Sequence, residues 1–203
     1  DKKTAYQAYV AQILGLIGWA NPEKSAADIV AFETKIAEKS WTRAQSREFD
    51  KIYNPMTMAE VAAYAPGFDW AAWAGAAQLP SAAHTVVNEL TAVPELAKIF
   101  GETDLDTLKA YEAFHFADQS APVLSRPFVD ANFAFHGTVL NGVDQNRPRW
   151  NRAVRTVNGS LGEALGKEYV RLHFPESSKT AMEALVQNLI VAMRADGSVS
   201  GVR

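Results

Sequence analysis

Apolar residues recur along this chain at the three- and four-residue spacings of amphipathic helices. Tyr6, Tyr9, Val10, Ile13, Leu14 and Ile17 trace the first. Asn21-Pro22 follows as an N-cap with proline at the first helical position. The helix it opens runs to about Lys39 and buries Ile29, Phe32 and Ile36. A polar stretch from Thr42 to Asp50 leads into Tyr53-Asn54-Pro55, which reads as a turn. Thr57-Met58-Ala59-Glu60 fits a capping box and predicts a short helix that ends at Pro66-Gly67. Asp69 caps another through Trp70 and Trp73, and His84 to Leu90 is the one stretch with strand character. Helices resume near Pro94 and after Thr103, where Leu105, Leu108, Tyr111 and Phe114 share a face. Pro127 opens a further helix carrying Phe128, Val129, Asn132, Phe133 and Phe135.

The last two helices carry the strongest pattern. Trp150, Val154, Val157, Leu161, Leu165, Tyr169 and Leu172 form one apolar stripe; Pro175 breaks it, and Met182, Leu185, Val186, Leu189, Ile190 and Met193 begin the next. Gly159, Gly162 and Gly166 lie beside the first stripe. Each glycine costs about 1 kcal/mol against alanine inside a helix, so the three are candidates for close helix packing; a local break near Asn158-Gly159 is the alternative. These patterns predict an all-α chain: a multi-helix bundle over residues 1–194 with an irregular middle segment and at most one short strand region. The Gly/Ser-rich residues 195–203 have no periodicity and are expected to form a non-native or disordered tail.

Composition narrows the function classes. The 203 residues are 48% apolar and 21% charged, an ordinary globular mixture able to bury a full core. A net charge of −3 without a basic stripe argues against nucleic acid as a partner. Cysteine is absent, which removes disulfides and thiolate metal sites. The longest apolar stretch, Ile13 to Ala20, is too short to span a membrane, and Asp1-Lys2-Lys3 does not open a signal-peptide layout.

Catalytic motifs are missing. No two of His84, His115, His136 and His173 stand within five residues of each other, so the His-x-x-x-His pair of a zinc helix cannot form. His115 and His136 are expected at the edge of the core, each hydrogen-bonded to a neighbour. There is no Gly-x-Ser-x-Gly elbow and no phosphate loop; Gly159-Ser160-Leu161-Gly162 echoes the first only superficially. Asp104/Asp106 and Glu48/Asp50 fall at cap or turn positions, and Phe128, Phe133 and Phe135 have the spacing of plain core, with the floor of a binding groove as the alternative.

Several segments taken together resemble the neprilysin and endothelin-converting-enzyme family of zinc metallopeptidases, in particular its bacterial members. They are Phe32-Glu33-Thr34-Lys35-Ile36-Ala37, Ser40-Trp41-Thr42, Tyr53-Asn54-Pro55-Met56-Thr57, Ala65-Pro66-Gly67-Phe68-Asp69-Trp70, Phe128-Val129-Asp130-Ala131-Asn132-Phe133 and Arg149-Trp150. The most specific is Val157-Asn158-Gly159-Ser160-Leu161-Gly162-Glu163-Ala164-Leu165-Gly166-Lys167-Glu168-Tyr169-Val170, with Phe174-Pro175 after it. The resemblance implies a thermolysin-like catalytic domain, bearing His-Glu-x-x-His and a glutamate ligand, facing a mostly helical domain across a closed chamber that admits oligopeptides. This sequence resembles the helical domain only. The implied partners are the missing catalytic domain and oligopeptide substrates. No catalytic or metal-ligating residue falls in this chain, no cofactor is expected in it, and zinc is expected in the missing domain. A periplasmic or secreted location comes with the family. Ala153 stands where eukaryotic relatives have a disulfide cysteine, as suits a cysteine-free branch, and Asp196-Gly197-Ser198 replaces a continuing helix, as in a truncated chain. The alternative reading is a free-standing helical module that binds peptide or protein without enzymatic activity; an enzyme built on histidines converging in space is a third.

Overall fold

The computed structural model describes residues 1–79 and 84–195. Their contacts group into two compact units, the first ending at Gln145 and the second starting at Asn146. The tail expected after residue 194 lies, beyond Ala195, outside the described residues.

The first unit is built on α1 (Lys2–Leu16) and α2 (Pro22–Lys39), the most extensively packed pair of helices. Tyr9, Val10, Ile13 and Leu14 of the predicted stripe are the buried face of α1, while Tyr6 packs against the core only partly buried and Ile17, just past the helix end, is exposed. Proline stands at the start of α2 as predicted. Asn21, however, is left-handed (φ 51°) and makes no side-chain cap bond. It serves as the tight corner between the helices, a conformation asparagine tolerates better than most residues.

The predicted turn at Tyr53-Asn54-Pro55 is a correction. Asn54–Thr57 is a strand, β1, paired antiparallel with β2 (His84–Val87). The Asn54 side chain donates to the Val87 carbonyl at 2.9 Å, and a two-stranded ribbon is all edge, which is where proline is accepted. The strand predicted over His84 to Leu90 is thus real but shorter. Thr57 then starts α3 (Met58–Tyr64) with the full capping box: its hydroxyl accepts from the Glu60 N–H while the Glu60 carboxylate accepts from Thr57. Those bonds hold the Glu60 carboxyl below the usual carboxylate range. Asp69 caps α4 (Trp70–Ala76) through the Ala72 N–H.

Next come α5 (Ala92–Glu102) and α6 (Leu105–Ser120), the latter capped by Asp104. Its core-facing stripe is Thr107, Ala110, Phe114 and Ala117, rather than the face Leu105-Leu108-Tyr111-Phe114. The small residues let α1 and α2 approach around the buried Phe114 ring, and Leu105 turns out to solvent. Helix α7 (Arg126–Asn132) begins around Pro127 and passes directly into a π-helix, Phe133–Leu140, which the sequence does not announce. Phe135 from that segment stacks on Tyr9 with ring centroids 4.9 Å apart, closing the core over α1.

The second unit holds α8 (Arg149–His173) and α9 (Glu176–Ala195), as the two apolar stripes predict. Neither helix buries a residue among those described. Leu161 leaves helical geometry (φ −124°, ψ 21°) and kinks α8, two residues beyond the break weighed at Gly159. The fold is therefore all-α, with one small ribbon among the described residues.

Candidate functional site

Three features of the described residues could carry function. The first is an apolar groove of about 990 Å³ in the first unit, walled by α2, α4, α5 and α6. Tryptophans 70 and 73 lie on one side, with ring centroids 6.1 Å apart. Phe68 meets Trp70 at 4.8 Å and Phe100 at 5.0 Å, and Tyr111 stands edge-on to Phe32 at 5.3 Å. Leu105, Leu108 and Tyr111, predicted as one face of α6, do share a face, but it lines this groove. Backbone approach sets the geometry. Gly67 has φ +109°, and a Cβ there would meet the Ala97 carbonyl oxygen at 2.8 Å. A Cβ on Gly101 would meet the Gly67 carbonyl at 2.7 Å. Only glycines let this connector lie flat on α5 and carry Phe68 into the groove. The Trp70 indole N–H donates to the Ala65 carbonyl at 2.7 Å, which fixes its ring.

The second feature is a pair of polar clusters at the edge of the core. The Glu33 carboxylate accepts from the Tyr6 hydroxyl at 3.0 Å and lies 3.0 Å from His115 Nε2. Asp118 accepts from the Tyr9 hydroxyl and from Asn132 Nδ2 at 3.1 Å, and lies 3.0 Å from His136 Nε2. Both histidines thus sit where the sequence reading puts them, each against a neighbour. Burial, and then the nearby Glu33 charge, pushes the Tyr6 hydroxyl far above the ordinary phenol range; burial and the bond to Asp118 do the same for Tyr9. A phenol that ionises less readily in the folded state contributes stability in full below the unfolded value of about 10, and that contribution is lost as pH climbs toward the folded value. Alkaline titration followed by tyrosinate absorbance and circular dichroism should therefore show Tyr6 and Tyr9 among the late tyrosines, ionising together with unfolding. Early, non-cooperative ionisation of these two would contradict this.

The third feature is the apolar surface of the second unit. Trp150 is 68% exposed, and the rest of its stripe, through Leu172, is exposed as well. Gly159, Gly162 and Gly166 face open space: a Cβ on any of them meets nothing within 4 Å. Within this chain, Gly162→Leu should therefore raise the denaturation midpoint, by about 0.5–1 kcal/mol of helix propensity. In an assembly whose partner helix rests on this stripe, the same change should instead weaken association through overpacking. A neutral effect on both measurements would remove any packing role for the glycine.

The four histidines do not assemble a metal centre. Among the described residues, no group of three His, Cys, Asp or Glu side chains stands close enough together to hold an ion, and no helix is long and apolar enough to cross a membrane.

Comparison with known proteins fits this description. The sequence pattern of Peptidase family M13, in its N-terminal part, matches residues 1–196. Endothelin-converting enzyme 1 of Rattus norvegicus is 25% identical over 190 residues, covering 90% of this chain and 25% of that protein; the Homo sapiens enzyme matches equally well. Among solved structures, the zinc metalloprotease Zmp1 of Mycobacterium tuberculosis in its open state superposes with a TM-score of 0.81 at 32% identity, over 98% of this chain and 31% of that one. Its inhibitor complex gives 0.81 at 31% identity, over 98% of this chain and 30% of that one. The chain thus spans about a quarter to a third of the length of the relatives it matches.

Proposed function

We propose that this chain, which belongs to peptidase family M13 and matches its N-terminal part, forms the non-catalytic helical wall of the substrate chamber in a zinc metalloendopeptidase that cleaves oligopeptides. The observation that carries the reading is the superposition on Zmp1, which takes in nearly the whole of this chain but 31% of a protein described as a zinc metalloprotease. The family's zinc finds no fitting donor set among the described residues. On this reading, the metal and the reacting groups belong to polypeptide outside the matched portion. This chain's contribution is then shape: a rigid helical unit, and two helices whose apolar stripes await a partner. A periplasmic or secreted location is part of the same reading.

A second reading, a free-standing module that binds peptide or protein, draws on the aromatic groove. One experiment separates the two. The purified chain should show no chelator-sensitive hydrolysis of an oligopeptide and less than one zinc per chain. Mixed with Zmp1 polypeptide lacking its matching segment, it should form a complex with measurable peptidase activity. Tightly held zinc and activity in the chain alone would overturn the non-catalytic assignment; failure to bind or activate the Zmp1 portion would leave the binding-module reading in its place.

A further inference from the structure

We infer that the aromatic groove of the first unit is the seat of an amphipathic helix from the polypeptide that full-length family members carry outside this portion. The inference rests on the reading above, that such polypeptide accompanies this chain. The groove holds about 990 Å³, at the upper end of the ~300–1,000 Å³ range of ligand clefts, and seven of its fifteen lining residues are aromatic. Contiguous apolar surface of this kind is seldom left to water in a soluble protein and marks a place where something docks.

Backbone hydrogen bonding selects the kind of occupant. The walls are the helices α2, α4, α5 and α6, whose main-chain groups are engaged within their own helices, and the ribbon strands β1 and β2 do not line the groove. An extended peptide laid here would find no strand edge to pair with and would bury unmet N–H and C=O groups. A helix brings its own ladder and needs only side chains that fit, as in other helix-in-groove complexes.

Charge and polar handles refine its chemistry. Glu112 and Lys109 sit three residues apart on α6 at the groove. Lys109 reaches Asp106 only at 3.9 Å, and Glu112 has no ion pair or hydrogen bond among the described residues. Trp73 is 42% exposed, and its indole N–H likewise has no acceptor among the described residues. The occupant therefore carries bulky apolar residues on one face, at helical spacing, with a basic residue beside them to meet Glu112. Its source follows from length. This chain covers 25% of the endothelin-converting enzymes and 31% of Zmp1, so most of the family's polypeptide lies outside the match.

The test uses the whole chain and, as probe, Zmp1 polypeptide lacking its matching segment. Hydroxyl-radical oxidation of Trp70 and Trp73 is measured by mass spectrometry, with and without the probe. Complex formation should cut oxidation at both residues at least fivefold. Trp73→Glu should weaken association at least tenfold, and Glu112→Arg severalfold. Circular dichroism checks that the variants fold; Glu112→Arg, at an exposed rim, keeps the test alive if Trp73→Glu does not. A complex that leaves both tryptophans as oxidisable as before overturns the groove assignment while leaving the chamber reading intact. No complex at all overturns the chamber reading, and this inference with it. Protection that grows with the concentration of the chain alone makes a second copy the occupant and also overturns it.

Discussion

Truncating Phe114 to alanine should destabilise the first unit by about 3–5 kcal/mol, the cost of a large cavity in a close-packed core. Phe114 is the largest fully buried side chain of this unit, with no exposed surface. Its ring stands edge-on to Tyr6 and to Tyr9, each at 6.0 Å between centroids, so truncation also removes two aromatic contacts. The neighbouring Phe116, on the same helix but 76% exposed, supplies the control: its replacement by alanine should change stability by no more than about 0.5 kcal/mol. Urea denaturation with an unchanged m-value is the measurement. Similar losses for both variants would mean that α6 does not turn the face described here toward the core.

Removing Asp118 should cost about 2–4 kcal/mol by a different route. Its carboxylate gathers Tyr9 from α1, Asn132 from the end of α7 and His136 from the π-helix, with only 19% of its side chain exposed. Asp118→Ala leaves the buried Tyr9 and the partly buried Asn132 and His136 without their shared acceptor. Asp118→Asn keeps an acceptor oxygen and should recover more than half of the loss, since the amide can still accept from Tyr9. Equal losses for the two variants would point to the charge, and not the hydrogen bonds, as the source of the effect.

The sequence made the helices legible where side chains act on their own backbone. Thr57 with Glu60 and Asp69 with Ala72 are local bonds, and so is proline at the start of α2. The edge-of-core positions of His115 and His136 were legible too, because an aromatic neighbourhood leaves a polar ring few places to go. What could not be read depends on residues far apart in the chain. β1 exists because Asn54 meets Val87, thirty-three positions on, and turn chemistry alone cannot reveal that. The groove joins Phe32 to Glu112 through four helices. The spacing of Leu105, Leu108 and Tyr111 marks a face of α6 but not its destination, which is settled by how closely Ala110 and Ala117 let α1 and α2 approach. The π-helix leaves no composition signal at all. Family resemblance filled a different gap, supplying a parentage that no single residue here carries.

The kinked stripe of α8 constrains the handedness of whatever lies along it. From Trp150 to Leu172 its apolar steps average about 3.7 residues, near the eleven-residue repeat and longer than the 3.5 of a heptad. A partner helix following these side chains would wind around α8 with a slight right-handed supercoil, opposite to an ordinary coiled coil. The departure from helical geometry at Leu161 divides that path into two shorter runs of a few turns each. A single long straight helix therefore matches only one run at a time, and covering both takes two shorter elements or one that bends where α8 bends.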